Sequence, residues 1–198
     1  MKRLALLAGL LVAGCGPLVQ IGGNSKAPTA LLMLRASVPP LDRSRTVDKD
    51  RTFSVVVPTV PGALQTLRLP VITKDTELAY LTGATWAEQP NKQFARVLAD
   101  TIASRGVAVL GPRTVAVGAI RKLVGQLVEF GLDARDPARL KVVLRYDALL
   151  TGDGGKTIGL QRFDQSIAVS SQDPGQVAAA LNTAANAAAA EVADWVTR

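Results

Sequence analysis

The 198-residue chain contains no histidine and a single cysteine, Cys15. Without histidine, no Ser-His-Asp or Cys-His nucleophile system can be assembled, and the commonest metal ligand is missing. One cysteine cannot form an internal disulfide or a thiolate cage for zinc. Aromatic residues are scarce, at 4%. No carboxylate pair or Ser-Lys arrangement has supporting context, so the chain does not read as an enzyme, and no cofactor or metal motif is apparent. Residues 151–159, TGDGGKTIG, lack the glycine spacing and following helix of a phosphate loop. A hairpin turn over Asp153, Gly154 and Gly155 accounts for them better. Long hydrophobic runs are absent too. The one at residues 4–12 is about half of the roughly 20 residues that a membrane-spanning helix needs.

That short run has its own meaning. Lys2 and Arg3 precede it and Ala13 and Gly14 follow it, which is the layout of a secretory signal peptide. Val12-Ala13-Gly14-Cys15 resembles the bacterial lipobox, which implies cleavage between Gly14 and Cys15 and acylation of the Cys15 sulfur and amino group. The chemistry suits a cysteine, whose thiolate is the strongest nucleophile that a protein chain offers. Two or more acyl chains give stable membrane anchoring where one does not. Residues 1–14 are then a signal, 15–28 a Gly- and Pro-containing tether with a reach of about 20 Å, and 29–198 a single domain of ordinary size. Loss of residues 1–14 removes Lys2 and Arg3 and no acid, lowering the net charge from 23 − 16 = +7 to 21 − 16 = +5. Lys and Arg are scattered without aromatic interleaving, so nucleic acid is not the expected partner. A modest positive charge suits anionic headgroups or an acidic protein surface.

Periodicity organises the domain. Short β-prone pieces are expected at 30–36, 52–58 and 67–73. Phe94, Val97, Leu98, Thr101 and Ile102 follow helical spacing after Pro90, and Gly106 marks the helix end. Three alternating stretches follow. In the first, Val124, Val128, Phe130 and Leu132 are expected on one face. In the second, Leu140, Val142, Leu144, Tyr146, Ala148 and Leu150 share a face, and the third spans 156–170. Short connections make these an antiparallel meander. A final helix begins at Asp173-Pro174, with Val177, Leu181, Ala184, Ala188, Val192 and Trp195 along its apolar line. The expected fold is α+β, a curved and mostly antiparallel sheet with two helices packed on one face. Phe130 and Phe163 read as core, and Arg162 as a solvated strand position. Tyr80, Leu81 and Trp86 are candidates for an amphipathic edge that meets lipid or a partner. The competing reading of Trp86 is a cap on the helix that starts near Pro90.

The segment ELAYLTGATWAEQPNKQFARVLADTI, followed in order by LVEFGLDA, LKVVLRYDALL, RFDQSIAV and an Ala-rich helix ending DWV, resembles the ABC-type transport auxiliary lipoprotein family. Leu32-Met33-Leu34 replaces the Tyr-x-Leu often present in that family's first strand. The resemblance implies a non-catalytic lipoprotein on the periplasmic face of the outer membrane, partnered with a mammalian-cell-entry-domain protein and an ABC permease that move phospholipid between membranes. Gly16, in place of an Asp that would favour inner-membrane retention, is consistent with outer-membrane sorting. A phospholipid carrier and a purely structural envelope lipoprotein are the rival readings, and a homo-oligomer is left open. Cys15→Ser is expected to leave an uncut, unacylated precursor, measured by intact-mass analysis and lipid labelling; normal labelling of that variant would overturn the lipobox reading.

Overall fold

The computed structural model describes residues 30–39, 52–110 and 121–198. The elements are β1 (Thr52–Val55), β2 (Arg68–Lys74), β3 (Glu77–Thr85), α1 (Pro90–Ser104), β4 (Ala108–Leu110), β5 (Arg121–Asp133), β6 (Lys141–Thr151), β7 (Thr157–Ala168) and α2 (Pro174–Val196). The seven strands form one sheet with both helices on one face, in agreement with the expected α+β class.

Strand β5 is the spine. On one side it pairs along its whole length with β6, which in turn pairs with β7, giving the meander read from the two-residue alternation. Its other edge is divided. β1 runs parallel to its beginning, Thr59 bridges Gln126 in the middle, and β2 runs parallel to its end at Leu132 and Asp133. Between those ladders the Val56 and Thr59 N–H groups donate to the Leu123 and Gly125 carbonyls, and Leu127 N–H donates to Thr59. Few polar groups along this edge are left without a partner, as burial requires. The hairpin β2–β3 flanks one end and β4 continues the other through β1.

The face of β5 differs from the expected one. Leu123, Leu127, Phe130 and Leu132 are buried, while Val124 and Val128 are only half-buried. A bulge between Leu127 and Glu129 inserts one residue and flips the alternation. Val124 therefore lies on the opposite face from Phe130. The β6 alternation holds, with Val142, Leu144, Tyr146, Ala148 and Leu150 buried. The β6–β7 connection is the expected turn, with Gly154 and Gly155 at φ 63° and 79°, the left-handed region that glycine enters without strain.

Both helices end and pack as their sequences dictate. Asp173 Oδ1 accepts from the Gln176 N–H at 2.9 Å, Pro174 opens α2, and Gly106 turns the chain after α1 at φ 83°. Phe94, Val97, Leu98, Thr101 and Ile102 of α1 are buried, and so are Val177, Leu181, Ala184, Ala188 and Val192 of α2. Alanines along α2 allow α1 to approach closely. Across this layer Phe94 meets Tyr146 edge-on at 5.4 Å, Tyr146 stacks with Phe163 at 6.5 Å, and Phe163 meets Trp195 at 5.8 Å. Burial pushes the Tyr146 phenol well above its ordinary pKa, because the phenolate would lose its water.

At the junction of β2 and β5, buried Asp133 accepts two hydrogen bonds from the Arg135 guanidinium, which also reaches Asp75 in the β2–β3 turn. The Arg135 hydrogen bond holds the Asp133 carboxyl below its ordinary value of 3.8, against the opposing effect of burial. Its stabilising effect is present above that value and is lost as the pH falls through the lowered pKa.

The expected strand at 30–36 is not a strand. Leu32 makes one parallel bridge to Trp86, exchanging hydrogen bonds with Thr85 and Ala87. Beyond it the backbone is fastened by side-chain amides instead of a neighbouring strand. Leu34 N–H donates to Gln93 Oε1 at 2.8 Å, Arg35 N–H to Asn182 Oδ1 at 2.8 Å and Ser37 N–H to Asn186 Oδ1 at 2.7 Å. Asn186 Nδ2 returns a bond to the Arg35 carbonyl at 2.8 Å.

Gly125 has no room for a side chain, since a Cβ there would lie 2.3 Å from the Asp147 carbonyl and 2.8 Å from the Tyr146 ring. Gly125→Ala is expected to cost about 1–3 kcal/mol of stability in urea unfolding. Gly62→Ala, whose Cβ would meet nothing within 4 Å, is expected to be neutral or slightly stabilising. Equal losses at the two positions would contradict this packing.

Candidate interaction surface

The lipidation and cleavage residues, Cys15 and Gly14, lie outside the described residues. The structure does show where the chain that follows them joins the domain. The segment at residues 30–39 crosses α1 and α2, and its residues alternate sharply. Leu32, Leu34 and Ala36 face the core, whereas Leu31 and Met33 are 54% and 47% exposed.

The neighbouring backbone extends this alternation. Leu32 pairs with Trp86, so Leu31 and Met33 fall beside Thr85 and Ala87 on the outward side. Thr85 pairs with Arg68, whose guanidinium lies 4.0 Å over the Tyr80 ring. The Tyr80 hydroxyl donates to the Ala63 carbonyl at 3.3 Å. Leu78, two residues before Tyr80, is 43% exposed. Leu31, Arg68 and Tyr80 thus follow one another through Thr85, with Met33 beside Leu31 on the same outward side and Leu78 beyond Tyr80.

Of the three residues proposed for an amphipathic edge, Tyr80 and Leu81 are half-buried on β3. Trp86 is not at a surface. It is fully buried, with its ring 5.7 Å from that of Phe130. The edge expectation is corrected for Trp86, because the alternation that turns Thr85 outward turns Trp86 into the core. Its indole N–H finds no acceptor among the described residues. It is the first residue of the segment that joins β3 to α1, four residues before the helix begins.

A groove of about 580 Å³ runs between the 33–39 segment and α1. Met33, Val38, Pro39 and Val97 contribute apolar surface to it, and Arg35, Glu88, Arg96 and Asp100 contribute charge. Arg96 donates to Glu88 at 2.5 Å, and Gln93 Nε2 donates to the Glu88 carbonyl. On the open face of the meander, charges pair across strands. Arg145 joins Glu129 to Asp164, and Arg162 joins Asp147, whose carboxyl is held below its ordinary range by that guanidinium. Arg162 is solvated, as its strand position implied. Among the described residues no three of His, Cys, Asp and Glu are placed to hold a metal, and no helix is long and apolar enough to cross a membrane.

Sequence reasoning missed the outward row of Leu31, Met33 and Arg68 and the amides that hold the segment carrying it. Residues 30–34 are apolar at every position, which hides the alternation. Nothing local marks Asn182 or Asn186, which act on a segment 147 and 149 residues away.

The fold is shared with solved structures. A DUF330-family protein of Xanthomonas campestris is 19% identical, with 84% of this chain and 94% of that chain aligned and a TM-score of 0.72. A second, uncharacterised protein is 17% identical over 74% of this chain and 92% of that one, with a TM-score of 0.64. At these identities the likeness concerns the fold alone. No curated protein matches the sequence. Residues 34–193, from the amide-held segment to the last turn of α2, match the ABC-type transport auxiliary lipoprotein component, and the chain belongs to that family.

Proposed function

We propose that this chain is the auxiliary lipoprotein of an ABC-linked system that moves phospholipid between membranes, held by acylated Cys15 on the periplasmic face of the outer membrane. There it docks or tethers a mammalian-cell-entry-domain protein and the inner-membrane permease. The observation that carries this reading is the family match over residues 34–193, joined in one chain to a lipobox and a tether. A non-catalytic role is supported by the histidine-free composition.

The carrier alternative calls for an apolar cavity of several hundred Å³ that encloses most of its cargo. The groove beside the 33–39 segment has the volume, but Arg35, Glu88, Arg96 and Asp100 line it together with the apolar residues. That mixture favours docking over carriage. The structural-lipoprotein alternative predicts no transport partner.

Affinity capture of the acylated protein from native membranes is expected to recover a mammalian-cell-entry-domain protein or its permease, and native mass spectrometry of the purified protein is expected to show no bound phospholipid. Capture of neither partner in repeated trials would contradict the docking role. A stoichiometric phospholipid adduct would favour the carrier.

A further inference from the structure

The first described segment begins at Ala30, and directly after it the exposed Leu31 and Met33 flank the half-buried Leu32. Exposed large hydrophobic side chains at a junction call for an explanation when they lie together with others. Here the outward row continues through Arg35, which is exposed, and through Arg68 and Tyr80. The composition is apolar residues, two arginines and a tyrosine, without a carboxylate. The nearby acids are Glu88, paired with Arg96, Glu77, paired with Lys74, and Asp100, which with Glu88 lines the adjoining groove beside Met33 and Arg35. Tyrosine over an apolar surface with cations beside it suits the boundary between acyl chains and headgroups.

We propose that the row formed by Leu31, Met33, Arg35, Arg68 and Tyr80 docks on an anionic phospholipid surface and seats the domain on the bilayer in one orientation. This rests on the reading of Cys15 as the acylated anchor. The length of the connecting chain commits the row to that occupant. Ala30 is 30 − 15 = 15 residues from Cys15, and a chain of that length spans at most about 50 Å. The row is thus kept within reach of the headgroups, and tethering of this kind gives a weak contact a high effective concentration. Two apolar side chains and two arginines would not hold a free protein on a membrane. As a second contact beside acyl chains they suffice to set orientation.

The other exposed apolar residues occupy a different place. Leu160 and Ile158, 76% and 53% exposed, lie on β7 beside Gly159, which packs under Trp195. Asn182, which fastens Arg35, and Trp195 are 195 − 182 = 13 residues apart on α2, about 20 Å along its axis. When the row meets the bilayer, Leu160 is held away from it, and it serves as the reference position.

The test uses the acylated full-length mature protein in vesicles of phosphatidylethanolamine and phosphatidylglycerol containing nitroxide-labelled lipid. Because the Cys15 sulfur is consumed by acylation, Met33→Cys, Leu31→Cys and Leu160→Cys each supply one thiol for a polarity-sensitive fluorophore. Probes at 31 and 33 are expected to shift to shorter wavelength and to be quenched, and the probe at 160 is not. Arg35→Gln combined with Arg68→Gln should lower the docked population at low salt by roughly 25-fold, about fivefold for each positive charge removed. Unquenched probes at both 31 and 33 on vesicle-bound protein overturn the docking. So does equal quenching at 160, or a blue shift at 33 without lipid quenching, which assigns the row to a protein partner or second copy. Failure of the protein to sediment with vesicles overturns the anchor reading instead.

Discussion

Three backbone N–H groups of the entry segment, at Leu34, Arg35 and Ser37, are satisfied by the amide oxygens of Gln93, Asn182 and Asn186. This fastening fixes residues 34–37 on the two helices. A strand ladder would have needed a neighbouring strand with open edges, but the helices offer none. Asparagine and glutamine reproduce the peptide group on a side chain, one oxygen to accept and one NH2 to donate, so they can present a strand-like edge from a helix surface. Asn186 does both, accepting from Ser37 and donating to the Arg35 carbonyl. Gln93 accepts from Leu34 while donating to Glu88. Asn91 does the same work at the start of α1, donating to the Pro58 carbonyl at 2.8 Å. The Leu34 and Asn91 bonds are buried, and leaving such a group unpaired there costs about 1–3 kcal/mol.

The fastening holds because the helices beneath it are themselves fixed. Six of the chain's eight aromatic residues, Trp86, Phe94, Phe130, Tyr146, Phe163 and Trp195, meet one another across the helix–sheet layer. Scarcity of aromatic residues has therefore not loosened the core; they are concentrated between the helices and strands β5, β6 and β7. The alanines of α2 bring its axis close enough to α1 for Asn182 and Asn186 to reach residues 35–37. Core packing, amide geometry and the outward aim of Leu31 and Met33 form one chain of causes. Residues 34–193, which carry this packing, are the part of the chain that matches the family.

Much of this was legible in the sequence wherever the signal was local. The β6 alternation, the Asp-Gly-Gly turn, the capping Asp173 before Pro174, Gly106 after α1 and the apolar lines of both helices each depend on residues a few positions apart. Non-local features were not legible. The bulge that moved Val124 off the Phe130 face depends on the β6 register. The parallel pairing of β1 and β2 with opposite ends of β5 depends on long connections. Trp86 looked like an edge residue because the segment around it mixes polar and apolar side chains; its burial follows from its bridge to Leu32. Of the candidate contact residues, Tyr80 lies on the outward surface, Leu81 packs partly against the core and Trp86 lies within it.

The central claim is that side-chain amides, and not a β-ladder, hold the entry segment on the helices. Amide hydrogen exchange of the Asn182→Ala, Asn186→Ala double variant tests it directly. The account predicts that Arg35 and Ser37 lose protection while β5, β6 and β7 keep theirs, since neither asparagine belongs to the α2 line that packs on the sheet. Unchanged protection at residues 35 and 37, or collapse of protection throughout the meander, would contradict it.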